Sequence, residues 1–534
     1  MTALGPVEVG LLGLLAFIFG LDYIWVTPLG IWRPVVAGTL TGIILGDPIT
    51  GLIVGSLLEF VFAGLFTIGG GTVPEAATGT IASVVVAITA GIKPEAAVPL
   101  AIPVAVLTMN LEIVVRSFDA VFTHWADAEI EKGNFDKIPL INILGAVPWA
   151  LSRAIPIWAF VGALAINPQA VKSFIEALQV VQLGPLTIRF WDAMGVAGAV
   201  LPALGAAIMM KMMLSRETVA FYILGFALAA YLKLSLLAIA LVAGSIIFAL
   251  YLFTHREALQ QLTLSYGSQG VRGSATSKDF FRWFGLSWFI QSSWNYERMM
   301  GTGFAHGMLE VEKKLRKDPE ELKAWMRLHN EFYNTEPHVH NAIYGMVISL
   351  EEQGADPDTI RGVKTALMGP FAGLGDSLLW FTLLPIAFLL GASLGVNGNI
   401  LGPLVALLIW IPVSWAIKYY SLVYGYKYGL SLSEVLKGDV LKVFREAVMA
   451  FAMAVIGGIT ATYVRATTPI VLAQFHGQAI KLQPVLDQLM PSLLPLLFTL
   501  FTYWLIKNKG YSYGKAVIVL FLVAFILAIL GILG

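Results

Sequence analysis

Six side chains sit where apolar sequence makes them expensive. Asp22, Glu59, Glu75, Asn110, Glu112 and Asp192 lie within or beside long hydrophobic runs. A carboxylate in hydrocarbon costs about 3 kcal/mol even on lenient scales, so each needs a partner, a wet cavity or a substrate. Glu59, in "VGSLLEFVFAGLFTIGGGTVPEA", has apolar neighbours on both sides and a glycine-rich break after it. Two readings stay open for it: a ligand-binding carboxylate, or a buried ion-pair partner for Arg33 or another basic residue. A second cluster is "FIQSSWNYERMMGTGF", which brings Gln291, Ser292, Trp294, Asn295, Tyr296, Glu297 and Arg298 together. Aromatic faces pack on ring C–H groups, and amides and carboxylates pair with adjacent hydroxyls, so this set suits a polyhydroxylated ring. The competing reading is an amphipathic interface helix with its Trp at the headgroup level.

The third candidate is "MGPFAGLGDSLLW", Met368–Trp380. Its glycines resemble a phosphate cradle, but a Walker loop needs a Lys before its Ser/Thr, and here Asp376 takes that place. An aspartate repels phosphate, so nucleotide binding is excluded. Asp376 is expected to cap a helix beginning at Ser377, with contact to a substrate at a gate as the other reading. His338 and His340 form an i, i+2 pair without a third ligand, expected at a surface or a cap, and no metal or other cofactor is expected. Asp47, in "GDPITG", reads as a turn or cap residue.

The elements that must carry these residues follow from composition. The chain has 534 residues, 57% hydrophobic and only 13% charged. A soluble domain carries about 25% charge, so most of this surface must face lipid. Net charge is zero, which argues against nucleic acid as a partner. There is no cysteine, which excludes disulfides, thiolate nucleophiles and Cys-based metal sites. The N-terminal apolar run has no basic segment before it and no clear cleavage site, and reads as a retained membrane helix.

Two apolar blocks flank one polar block. The first, from about Val7 to Phe253, contains several runs shorter than the roughly 20 residues of a full span, or broken by Gly and Pro. Broken helices survive in a membrane only when buried in protein or lining a cavity. The expected fold is therefore an all-α polytopic membrane protein with broken or re-entrant hairpins. Gly38, Gly42 and Gly46, then Gly51 and Gly55, recur every fourth residue, as close helix packing requires. The expected divisions are a membrane domain over 1–264, a Gly/Ser-rich linker over 265–277, and a second domain over 278–534. Its first part, 278–366, is expected to be polar and helical, and 367–534 returns to membrane helices. "KDPEEL" offers an Asp cap and a Pro at the first helical position, and Leu309, Leu315, Leu322, Trp325 and Leu328 fit one helical face. Arg256, Arg272, Lys278 and Arg282 place the linker and polar block in the cytoplasm.

At these same residues the chain resembles a family. "QSSWNYERMMGTGF", "EFYNTEPHVHNAIYGMVISLEEQ", "VKTALMGPFAGLGDSLLW" and "VLDQLMPSLLPLLFTLFTYWL" resemble enzyme IID of the mannose–fructose–sorbose sugar phosphotransferase family. "GLDYIWV", "RPVVAGTLTGIILGDPITGLIVGSLLEFVFAGLFTIGGGTVPEAATGTIASVV" and "AAVPLAIPVAV" look like enzyme IIC. The resemblance spans nearly the whole chain, with IIC and IID joined at the Gly/Ser stretch. It implies a bacterial inner-membrane trimer that binds a hexose or amino sugar, moves it inward by an elevator-like motion, and presents it to a IIB protein phosphorylated on histidine. IIA, HPr, enzyme I and phosphoenolpyruvate would supply that phosphate, since nothing here looks able to carry it. Carried over residue by residue, the pattern points to Glu59 and Thr67 in the IIC-like half. It points to Gln291, Trp294, Asn295 and Glu297 in the IID-like half, with Asp376 near the cytoplasmic opening. Asp22 joins them as an intramembrane carboxylate. Thr67 departs from the asparagine of mannose-type members, and "GLDYIW" and "GIKPEAAVPLAIP" look closer to amino-sugar or sorbose-type relatives. A different class stays open: a proton- or cation-coupled transporter, with Glu59 and Asp22 as its ion sites.

Overall fold

Apolar runs that lack mid-run Pro and Gly have one way to satisfy their backbone in lipid, which is to form helix. A computed structural model describes the chain apart from residues 1–3, 26–28, 66–71, 168, 170–172, 174–175, 184–185, 255–274, 430–438 and 476–477. Among the described residues, 7 helical stretches are long and apolar enough to cross a membrane. Pro6–Ile24, Pro94–Glu131, Pro357–Gly395 and Leu401–Tyr428 are among them. Leu482–Leu489 and Leu493–Lys507 form a further pair bent by 76°. Pro34–Ile44, Pro48–Phe62 and Ala76–Ala90 are shorter apolar helices, the broken elements that the Gly/Pro interruptions predicted. The protein is an all-α polytopic membrane protein. Its described strands form two short antiparallel hairpins, Val181–Leu183 with Leu186–Ile188 and Val471–Phe475 with Gln478–Lys481, neither anticipated from sequence.

The Pro34–Ile44 and Pro48–Phe62 helices pair as a hairpin. Each starts on a proline, whose missing N–H costs nothing at a first turn. Asp47 caps the second, accepting from the Thr50 amide at 3.0 Å. Gly46 turns between them with φ +79. The periodic glycines set how closely the two backbones approach: a Cβ on Gly51 would lie 2.3 Å from the Gly38 carbonyl oxygen, and one on Gly55 2.3 Å from that of Pro34. The N-terminal and C-terminal halves share one core. Phe60 stacks on Tyr463 with ring centres 4.0 Å apart, and the helix carrying Tyr222 crosses that of Gly457 in backbone contact.

The polar block folds as short helices, Ser277–Leu286, Gly301–Leu315, Pro319–His329 and His340–Glu352. Asp318 caps the third as its sequence predicts, accepting from the Glu321 amide at 3.0 Å. Leu309, Leu322, Trp325 and Leu328 are buried, but Leu315 ends its helix exposed, because the predicted single face spans two separate helices. Of the expected linker, residues 265–274 lie outside the described residues. Ala275 donates its amide to the Tyr426 hydroxyl at 3.2 Å, and Thr276 caps the helix that follows. From Pro357 the chain is helical without interruption to Gly395, passing through a π-helical segment at Asp376–Leu383.

Candidate functional site

A cavity with about 630 Å³ of empty space, part of it open to solvent, lies where the two halves meet. Tyr23, Ile24, Arg116 and Trp149 line it from the N-terminal half. Gln291, Trp294, Met300, Asn334, Thr335, Pro337, Ala372, Asp376 and Trp380 line it from the C-terminal half. The Arg116 guanidinium sits between two indoles, 4.8 Å from the ring centre of Trp149 and 4.5 Å from that of Trp294. It thus joins one ring from each half. Its charge is matched by Glu112, one turn earlier on the same helix. Glu112 also accepts from Arg153 at 3.3 Å, and Arg153 lies 3.7 Å from Glu75. Arg153 covers Trp149 and Tyr23 at 4.3 and 5.5 Å. These charges are all buried, an arrangement that survives only when each has a counter-charge.

The segment carrying Gln291 and Trp294 is a series of turns leading into the Gly301–Leu315 helix, not the interface helix offered as an alternative. Asn295 explains why. Its Oδ1 accepts from the Glu297 and Arg298 amides, both at 3.0 Å, and its Nδ2 donates to Thr123 Oγ1 at 2.8 Å and the Ser293 carbonyl at 2.9 Å. Both donors and both lone-pair directions are occupied, so Asn295 shapes the loop and has no capacity left for a ligand. Glu297 is part-exposed, faces His124 at 2.8 Å and Arg298 at 3.6 Å, and is not in the cavity wall.

The remaining sequence candidates divide. Asp376 lines the cavity, but it caps nothing: the helix runs through it, and its carboxylate has no hydrogen-bond or ion-pair partner among the described residues. Of the glycines before it, Gly375 gives close approach to Glu336, Gly369 and Gly373 face open space, and none ends the helix. Glu59 is fully buried and pairs with Arg33, its other oxygen accepting from the Val35 amide at 3.2 Å. Arg33 in turn lies 5.2 Å from the Trp32 ring centre and 5.5 Å from that of Phe388. Asp22 accepts from the Leu29 and Ile31 amides, both at 2.9 Å, and so holds residues 29–31 against the helix that carries Tyr23 and Ile24. Thr67 lies outside the described residues. His338 and His340 are buried, not superficial. His338 bonds Glu336 and stands edge-on to Trp380, with ring centres 5.6 Å apart, behind the cavity wall.

One buried cluster has ligand-like spacing. His329 Nε2 lies 2.9 Å from Glu312 and 3.2 Å from Glu351, and Arg316 is 3.2 and 3.5 Å from their outer oxygens. Burial pulls His329 down, but Glu351 and Glu312 outweigh it and hold the ring above its ordinary value. Burial pushes Glu351 up to about 7. With Arg316 and a protonated His329 the two carboxylates are already balanced in charge.

A family profile described as "PTS system sorbose-specific iic component" matches residues 6–251, and one described as "PTS system mannose/fructose/sorbose family IID component" matches residues 274–533. The mannose-specific EIID component of Escherichia coli (strain K12) is 36% identical over 231 residues, 41% of this chain and 82% of that protein. The sorbose-specific EIIC component of Lacticaseibacillus casei is 34% identical over 206 residues, 39% of this chain and 71% of that protein. The chain belongs to the mannose–fructose–sorbose family of sugar phosphotransferase system membrane components. A chain of the solved complex of the mannose transporter ManYZ with microcin E492 is 33% identical, covering 49% of this chain and 100% of that one, with a TM-score of 0.29.

The protein is thus a fused IIC–IID unit, a multi-pass protein of the bacterial inner membrane that forms the sugar translocation unit of a phosphotransferase system. It has a sugar substrate and cytoplasmic partners such as IIB. In the IIC–IID unit the cavity is composite, with IIC giving Tyr23, Arg116 and Trp149 and IID giving Gln291, Trp294, Asp376 and Trp380. Sequence reasoning missed Arg116 and Trp149. The Glu112/Arg116 spacing of four was the available signal, since an acid and a base one turn apart in an apolar run announce a buried pair.

Proposed function

We propose that this cavity is where the fused IIC–IID unit holds a hexose or amino sugar before presenting it to phosphorylated IIB. The observation that carries the reading is a cavity walled by both halves, with aromatic faces beside amide, hydroxyl, guanidinium and carboxylate groups. A pyranose lays its C–H face on an indole and spends its hydroxyls on such groups. Gln291, Trp294 and Asp376 contact the sugar, while Asp22, Glu59 and Asn295 hold the walls in place. Inward movement is elevator-like, within a homotrimer whose polar block faces the cytoplasm. Support for a moving core comes from the short paired helices Pro34–Ile44 and Pro48–Phe62, which pack as one unit.

Direct binding of a panel of hexoses and N-acetylhexosamines to the purified protein tests the site. Trp294→Ala and Gln291→Ala should each weaken the best ligand by roughly tenfold, the worth of one aromatic face or one good hydrogen bond. Glu297→Gln should change affinity by less than about twofold, since a surface ion pair contributes little. The opposite pattern, with Glu297 needed and Trp294 and Gln291 dispensable, would place the sugar elsewhere.

A further inference from the structure

The composite cavity is not electrically neutral. Arg116 is its cation, and Glu112 already neutralises that charge. Asp376 is its unmatched carboxyl group, with no hydrogen-bond or ion-pair partner among the described residues. A second carboxylate stands behind it. Glu336 packs against Gly375, close enough that a Cβ there would fall 2.6 Å from the Glu336 Cβ. Glu336 is buried, bonded to the His338 ring at 2.5 Å and accepting from the His338 and Val339 amides at 2.8 and 2.9 Å. Lys418, on the neighbouring helix, donates to the Ser287 and Pro337 carbonyls at 3.1 and 3.3 Å and also faces Glu336, whose charge it offsets. A ligand entering this space therefore meets Asp376, a carboxyl group with no counter-charge of its own among the described residues, in a setting that screens poorly.

Resting on the proposed sugar site, we infer that Asp376 is a specificity-determining residue that sorts ligands by charge. It favours a sugar bearing an ammonium group, accepts a neutral sugar through a hydroxyl, and rejects a sugar phosphate. For a phosphotransferase system the last property has direct use. The substrate enters neutral or cationic and leaves as a dianion, so the site that held the sugar expels the product. Discrimination of this kind works by placing a repulsive element against the wrong ligand.

The test is equilibrium binding to the full chain in detergent or nanodiscs, with two matched trios: glucose, glucosamine and glucose 6-phosphate, and mannose, mannosamine and mannose 6-phosphate. The wild type should rank amine above neutral above phosphate, with the phosphate at least roughly 100-fold weaker than the neutral sugar. In Asp376→Asn the direction of change should depend on ligand charge. The amine should lose roughly 30-fold or more, the neutral sugar roughly 3- to 10-fold, and the phosphate should gain roughly tenfold. Asp376→Glu should keep the wild-type order. A purely structural role would weaken all three alike, and that result overturns the inference, as does a wild type that binds phosphate as tightly as the neutral sugar. If Asp376→Asn does not fold, the wild-type ranking and Asp376→Glu decide alone. If no sugar of either trio or of the wider panel binds, the sugar site itself fails, and the charge filter with it.

Discussion

Replacing Glu59 by glutamine removes one charge from a pair that has no contact with water. Arg33 and Glu59 are both 0% exposed, and the Arg33 guanidinium also lies beside the rings of Trp32 and Phe388. Glutamine has the same shape and can keep the bond to the Val35 amide, so packing is preserved and the electrostatic change is isolated. Stranding one member of a buried pair costs about 3–5 kcal/mol. That corresponds to roughly a 100- to 4,000-fold shift in the folding equilibrium. In detergent, where a chain of this size unfolds irreversibly, the readout is the temperature at which half the protein stays monodisperse after a fixed heating interval. The midpoint should fall by about 5 °C or more. Removing both charges, as Arg33→Met with Glu59→Leu, should recover most of the loss, because apolar groups of similar volume replace a buried pair at little net cost. The reasoning fails if Glu59→Gln melts with the wild type yet loses sugar affinity tenfold. Glu59 would then be a ligand, and the ion pair incidental.

Three further outcomes follow from the same geometry. Asn295→Ala should destabilise by about 1–3 kcal/mol through the stranded Thr123 hydroxyl and loop amides, and should also weaken sugar binding although Asn295 does not line the cavity. Rescue of stability without rescue of binding by an added loop-rigidifying change would contradict its positioning role. Gly225→Leu should separate the halves, since even a Cβ there would fall 1.8 Å from the Ala454 carbonyl oxygen. A cost of at least about 1–3 kcal/mol is expected in the same heating assay, and a wild-type midpoint would refute the crossing. His329 and Glu351 both have raised folded values, so their contribution is complete below their ordinary values and is lost as pH rises through the folded ones. His306, which burial lowers to about 4, and His340, which burial also lowers, are common to both proteins, so their effect cancels in the comparison. The stability difference between wild type and the double variant His329→Gln, Glu351→Gln should therefore shrink as pH rises from 6.5 to about 8. A constant difference would show that the cluster, which Arg316 and Lys364 also face, does not titrate in that window.

What the sequence revealed depended on whether a signal was local. The Pro-initiated hairpin, the Asp47 and Asp318 caps and the four-residue glycine spacing are all set by neighbours along the chain, and each could be read directly. Glu59 was legible as a dilemma, a ligand or a partner for Arg33 or another base, because a lone intramembrane acid requires one of the two. Gln291 and Trp294 stood out by type, as a mixture of amide and indole, and both line the composite cavity. The errors came from non-local context. Asn295 has a sugar ligand's chemistry, but Thr123, 172 residues earlier, occupies its amide. Asp376 follows glycines like a cap, but the helix continues through a π-helical turn that no local rule predicts. His338 and His340 sit in a polar-looking stretch, but His338 is covered by Trp380 and Trp410 from the following membrane block, and His340 packs beside Tyr333 and Tyr344. Arg116 joins the site only because the fold sets Trp149 and Trp294 on either side of it.

The most direct test of the central claim uses membrane vesicles carrying this protein. With phosphoenolpyruvate, enzyme I, HPr, IIA and a cognate IIB inside, radiolabelled sugar should accumulate as sugar phosphate. It should do so without an ion gradient, and not when IIB is left out. Accumulation of free sugar, driven by an imposed proton gradient and indifferent to IIB, would contradict the account.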